Sequence, residues 1–238
     1  MTNTLPNKAK VMIGMVAVAS LCPVSFGVIN WRMPAWPQLA LLMIAAVFTS
    51  RLKVKLPGMT STMSGNLPVI LLGVTQLGLL GSLLVAVTAA IAQSYASATK
   101  TKPVQFLFNT CTLMNASALA YAVYHSRLLA AYGSGALSLV AAAAVYFLAN
   151  TAPIAGIVGL AEGNHPFAIW HKVFLWSFPN YVIGAGLTAI ASLFGTVTGL
   201  ATLAALLVVL LGVYKSYKMF VSHSEQTVPK ALAMAAGR

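Results

Sequence analysis

Apolar residues in this chain come in long runs cut by charges, prolines and glycine clusters, without the strict alternation of half-buried strands. The runs cover about 11–30, 36–50, 66–78, 80–97, 104–125, 134–160, 173–194 and 197–214. Several approach the roughly 20 residues that carry a helix across a bilayer. The second and third are short, and Pro68 stands near the start of the third, so half-helices or tilted spans buried by neighbours are expected there. The pattern predicts an all-α, polytopic helical membrane bundle.

The number of spans turns on residues 66–97, which make either one long helix or two with a bend at Gly78–Gly81. Two helices give eight spans, and one gives seven. Charge separates the alternatives, because cytoplasmic loops collect Lys and Arg. With eight spans and an inside N-terminus, the inside holds Lys8, Lys10, Arg51, Lys53, Lys55, Lys100, Lys102, Lys172, Lys215, Lys218, Lys230 and Arg238. Only Arg32 and Arg127 fall outside, a split of twelve to two. Seven spans would divide the same charges six to eight, with no bias. About eight transmembrane segments with both termini cytoplasmic is therefore the expectation. Trp31 and Trp36 bracket the first outside loop, and Trp170 and Trp176 fall at the inside end of the seventh span, as an aromatic belt requires. Residues 1–214 form the membrane domain, and 215–238 a short cytoplasmic tail too small for a second domain.

Composition agrees and narrows the chemistry. Of 238 residues, 59% are hydrophobic and only 7% charged, with a mean hydropathy of +0.87. A soluble domain carries about 25% charged residues, so so few cannot clothe a water-facing surface. Glu162 and Glu225 are the only acids, and there is no aspartate, which removes paired-carboxylate hydrolysis and two-metal catalysis. The net charge of +12 is scattered between apolar runs rather than gathered on a face, so it suits anionic lipid and not nucleic acid. Cys22 and Cys111 lie in apolar stretches and read as small buried hydrophobes. Lys8 and Lys10 precede a long apolar run without a small-x-small cleavage site, so no cleavable signal is expected.

No catalytic set emerges. His125 and His223 are isolated, and His165 and His171 are six apart, a spacing that does not share one helical face; no metal site or cofactor is expected. There is no nucleophile elbow and no Ser–Lys pair. The loop 53–66 joins a basic start to a hydroxyl-rich end. Arg51, Lys53, Lys55, Thr60 and Ser61 are therefore candidates for contact with an anion or a partner. It lacks the phosphate-binding glycine–lysine pattern, and the plainer expectation is a turn at Pro57–Gly58 followed by a helix cap.

Polar residues at membrane depth say more, since unpaired amides in hydrocarbon are costly. Asn109, Thr112 and Asn115 fall within about 120° of one helical face. Asn150 stands just before Pro153, and Asn180 follows Pro179, where a nearby amide can satisfy the carbonyl that a proline frees. Two readings stay open: amides that glue helices together, or a lining for a small-ligand cavity formed by Asn109, Thr112, Asn115, Asn150, Trp176 and Asn180. Glu162, at the inside end of the sixth span, is expected to form a structural ion pair with Lys172 or the loop cations.

Three stretches together carry a family likeness: ArgLeuLysValLysLeuProGlyMetThrSerThrMetSer at 51–64, LysProValGlnPheLeuPheAsn at 102–109 and PheLeuTrpSerPheProAsnTyrValIleGlyAlaGly at 174–186. TyrHisSer at 124–126, GluGly at 162–163 and TyrLysSerTyrLysMetPhe at 214–220 fall in the same order. The set resembles the N-terminal multi-span membrane domain of bacterial HD-GYP phosphohydrolases and related cyclic-di-GMP signalling proteins. The resemblance implies a sensory or anchoring role at the bacterial inner membrane, a cytoplasmic signalling enzyme as partner, and a homodimer through the exit helices. The His-Asp pair and GlyTyrPro signature of the enzyme are absent, so the implied function is the input module alone. Its output is then expected on another polypeptide. Two other classes stand beside this: a substrate-binding membrane subunit of a small-solute importer, and a structural scaffold. Against the importer, the first span has no tidy Ala-x-x-x-Ala stripe and the span count exceeds the usual six.

Overall fold

A computed structural model describes residues 5–31, 36–55, 62–96, 101–131, 135–171 and 177–193. They form helices α1 (Asn7–Ile29), α2 (Trp36–Ser50), α3 (Leu67–Gln76), α4 (Leu79–Tyr95), α5 (Pro103–Tyr124), α6 (Arg127–Ala131), α7 (Gly135–Glu162), α8 (Pro166–Ile169) and α9 (Phe178–Leu193). The architecture is helical, with one addition. Between α2 and α3, β1 (Lys53–Lys55) and β2 (Thr62–Ser64) pair as an antiparallel ribbon in the register Lys53↔Ser64 and Lys55↔Thr62. The expected turn at Pro57–Gly58, and Thr60 and Ser61, lie outside the described residues, as do the last expected span and the tail.

Proline sets where many of these helices start. Pro37, Pro68, Pro103, Pro166 and Pro179 each occupy the first turn of a helix, where a backbone N–H would have no partner anyway. Pro23 and Pro153 are the exceptions, inside α1 and α7.

Residues 66–97 form two helices. Leu77 and Gly78 are extended, at φ −106°, ψ 163° and φ −67°, ψ 166°, and the chain doubles back there. The Ser82 hydroxyl donates to the Gly73 carbonyl at 2.8 Å, and Gly73 leaves its flank to Val85. A methyl group at Gly73 would just reach Val85 at 3.6 Å, so the two helices pack here at ordinary contact distance.

A few contacts fix the direction of the neighbours. Met12 lies against Gly156 near the end of α7, the Asn115 amide donates to the Val16 carbonyl at 3.0 Å, and Gly27 rests on Leu80 at the start of α4. Gln38, early in α2, donates to Gln76 at the end of α3 (2.8 Å), while Ser50 at the end of α2 donates to the Ala89 carbonyl. One end of the bundle thus gathers the start of α1, the ribbon, the end of α4, the start of α5 and the end of α7. Lys8, Lys10, Arg51 and Lys102 are exposed at this end. Arg127 is the exposed cation described at the other, where the Trp31 and Trp36 rings lie 6.4 Å apart.

Helix lengths divide the molecule. Among the described residues, α1, α5 with its continuation to Leu129, and α7 are long and apolar enough to cross a membrane. At 1.5 Å per residue α7 is about 42 Å long and α3 only about 15 Å. The short helix is covered by its neighbours: Leu67 through Val74 are all buried. It is enclosed by α2, α4, α5 and α9. Small residues allow the approach, with Ala45, Ala46, Ala89 and Ala90 in the same core and Gly184 pressed against Leu67. By contrast α1 is the least buried of the three long helices, and Val11, Met15, Val18 and Leu21 are exposed along it. Cys22, expected to be buried, is exposed there, while Cys111 is buried and both are free thiols.

Candidate functional site

The residues singled out in the sequence do not gather as one lining. Asn109 is exposed, because it lies on the outer side of α5 with Val104 and Leu107, while Phe108 between them turns inward and is buried. Thr112, one turn on, is buried. Asn115 spends its amide on α1, tying the two helices at the Val16 carbonyl. Arg51 is exposed at the end of α2, and Lys53 and Lys55 lie in the ribbon strand β1. Trp176 lies outside the described residues, and Asn180 is described only as a position in the first turn of α9.

Asn150 belongs to a polar centre that the sequence only half revealed. Its amide donates to the Tyr181 hydroxyl of α9 at 2.9 Å rather than to the carbonyl freed by Pro153, as expected from the sequence. The next residue, Thr151, donates to the Phe147 carbonyl at 2.7 Å and accepts the Trp170 indole N–H at 2.9 Å. Trp170 was expected in an interfacial belt. It lies instead beside a residue eleven positions back from the end of α7, about 16 Å along the helix. The reversal is made at Gly163, whose φ of +73° suits glycine, and Gly159, where Asn164 and Pro166 leave no room for a Cβ.

Aromatic rings fill the angle between α7, α8 and α9. Around Phe147 stand Trp170 at 5.9 Å, Phe178 at 5.4 Å and Tyr181 at 4.8 Å, the last two edge to face. Tyr146 closes the other side of Tyr181 at 6.2 Å. Such contacts orient the rings and add packing energy beyond the area they bury. Thr151 and Tyr181 escaped the sequence reading and Trp170 entered it only as a belt residue, although a hydroxyl beside an asparagine in an apolar run was a signal available in it.

Hydrogen bonding here is incomplete. The Asn150 Oδ1, Thr112 Oγ1 and Ser117 Oγ atoms are buried without a partner among the described residues. Glu162 is exposed and accepts the Asn164 amide at 3.3 Å, while Lys172, its expected partner, lies outside the described residues. No group of three metal-binding side chains occurs among the described residues. The chain matches no family model, no curated protein and no solved structure in the comparisons made.

Proposed function

We propose that this chain is a non-enzymatic sensory or regulatory module of the bacterial inner membrane, spanning it about eight times with both ends in the cytoplasm. The observation that carries the reading is the attachment of two successive elements to two successive residues of α7. Thr151 holds the α8 segment through Trp170, and Asn150 holds α9 through Tyr181. A change of packing at this level of α7 therefore moves both elements together. That is the mechanical requirement for passing a signal from a bundle interior toward its end. The exposed Lys8, Lys10, Arg51 and Lys102 support a cytoplasmic assignment for their end of the bundle. The likeness to membrane domains of cyclic-di-GMP signalling proteins supports a cytoplasmic signalling enzyme as partner. Cellular cyclic-di-GMP in the native host tests the reading. Deleting the gene is expected to change its level, and Trp170→Phe on the chromosome to change it in part. Identical levels in all three strains would reject the sensor.

A further inference from the structure

The cations on the lysine-bearing side of the bundle are not level with one another. Gly27 of α1 rests on Leu80, and nine residues along the antiparallel α4 the Ala89 carbonyl accepts the Ser50 hydroxyl. Counting nine residues back from Gly27 puts the end of α2 level with Val18 of α1. A second route agrees. From Ser50 it passes through Gln38–Gln76 to α3, Leu67–Gly184 to α9, Tyr181–Asn150 to α7 and Gly156–Met12 to α1, and it arrives at the same level. Val18 is the midpoint of Asn7–Ile29, the apolar helix whose first turn carries the exposed Lys8 and Lys10. Arg51 is exposed and follows Ser50 directly. At 1.5 Å per residue it therefore starts about 12 Å deeper along the bundle than Lys10.

The ribbon shares this depth. Extended strand advances about 3.3 Å per residue, so Lys53, three residues on from Ser50, cannot descend as far as Lys10, and Lys55 at most reaches the level of Asn7. Gly65 and Leu52 close the base of the ribbon through a backbone hydrogen bond of 3.1 Å. With two strands in the sheet, each leaves one edge without a strand partner among the described residues. Non-helical backbone at membrane depth persists where protein buries it or water lies beside it, and a guanidinium there needs water or a counter-ion. Arg51 is not buried, and the side of α2 on which it lies is open, with Phe48 and Ile44 exposed one and two turns back. The chain is poor in counter-ions. Glu162 ends α7 twelve residues beyond Asn150, about 18 Å from the level of Ser50, and Glu225, the only other acid, belongs to the tail.

We infer that the end of α2 and the ribbon floor a water-filled inlet, open at the lysine-bearing end of the bundle, in which Arg51 binds an anionic oxygen group, a phosphate or a carboxylate. Water at this depth hydrates the free strand edges, and the anion supplies the charge that the chain lacks. Arginine suits the task because its planar fork pairs with two oxygens at once. Lys53 and Lys55 add positive charge along β1, and a cleft lined by one sign of charge concentrates the opposite ion. The shortness of α2 and α3 then has a purpose. Both stop near mid-depth and leave the lysine-bearing half of the bundle, on their side, to non-helical chain. The inference needs a bundle that spans a membrane and does not depend on the sensor reading.

Cysteine accessibility in membrane vesicles tests this, on the full chain with Cys22 and Cys111 replaced by alanine. Leu52→Cys and Ser64→Cys report from the inlet, and Val18→Cys from the exposed side of α1 at the same depth. Membrane-impermeant methanethiosulfonates, applied to the lysine-bearing face, should modify both inlet positions and spare Val18→Cys. Relative to a free thiol in water, the sulfonate reagent should outpace the trimethylammonium reagent about tenfold, and Arg51→Gln should remove most of that preference. Inorganic phosphate should slow the sulfonate reagent while Arg51 is present and not after Arg51→Gln. Vesicles of phosphatidylcholine, with and without phosphatidylglycerol, separate the sources of the anion. Slowing by the anionic lipid without added phosphate assigns the group to a headgroup, and slowing by phosphate in both assigns it to a free ion. Inlet positions as silent as Val18→Cys, all three positions modified alike, a sulfonate preference unchanged by Arg51→Gln, or no slowing by either anion would each overturn the inference.

Discussion

Thr188 and Thr112 are the same residue in two apolar helices, both sealed from solvent, and their surroundings treat them differently. The Thr188 hydroxyl lies within bonding distance of its own Gly184 carbonyl at 2.9 Å and the Pro68 carbonyl of α3 at 3.3 Å. Thr112 has no partner for its hydroxyl among the described residues. The α3–α9 contact is finished, with Gly184 against Leu67 and every residue from Leu67 to Val74 buried. Helix α5 is as fully buried at Thr112 and Ser117, and yet neither hydroxyl has a partner among the described residues. A packed region that keeps unpaired hydroxyls stores free energy that another arrangement, or a ligand, can release.

The largest effect expected from breaking this contrast is at α3. Leu71→Ala opens a cavity on a helix surrounded on all sides and should cost about 2–5 kcal/mol in denaturant-induced unfolding from mild detergent. Val18→Ala, on the exposed side of α1, should change the same measurement by less than about 0.5 kcal/mol. Comparable losses at the two sites would remove the distinction between interior and perimeter helices.

Next in size is the link from α7 to α9. Tyr181→Phe keeps the ring against Phe147 but leaves the Asn150 amide without an acceptor, at a cost of about 1–2 kcal/mol. Asn150→Leu removes donor and orphan acceptor together and should cost less than Tyr181→Phe. The reverse order would mean that Asn150 Oδ1 is satisfied after all.

Trp170→Phe should have the smallest effect on global stability, about 0.5–1 kcal/mol, since ring packing on Phe147 persists without the indole N–H. Its signature is local. Amide exchange of residues 163–171 should rise while that of α3 stays fixed, because only the hold on α8 is loosened. Faster exchange throughout the chain would make Trp170 a part of the general core.

Much of the frame was legible in the sequence because bilayer thickness and charge bias act on long stretches. The limits of α1, α2, α5 and α7 follow the apolar runs closely, and the break at Gly78 could be argued from the positions of lysines that lie far from it. The short α3 could be suspected from Pro68 and run length, but its complete burial depends on partners from four other helices. The site was less legible. Helical angle grouped Asn109 with Thr112 and Asn115, and angle alone does not say which part of that arc the neighbouring helices cover. Trp170 illustrates the same limit. A tryptophan after a span ordinarily reads as an interfacial anchor, and only the reversal at Gly163 and Pro166 carries it back to Thr151. The ribbon between α2 and α3 left no alternating signal long enough to read.

One paired measurement bears on the contrast most directly: the unfolding free energies of Thr188→Val and Thr112→Val in the same detergent. Both substitutions delete a buried hydroxyl and keep the side-chain shape, so packing cancels. Thr188→Val should destabilise by about 1 kcal/mol, and Thr112→Val should be neutral or stabilising by up to about 1 kcal/mol. Equal destabilisation by the two would show that the Thr112 hydroxyl is already bonded, and Thr112 would then be no different from Thr188.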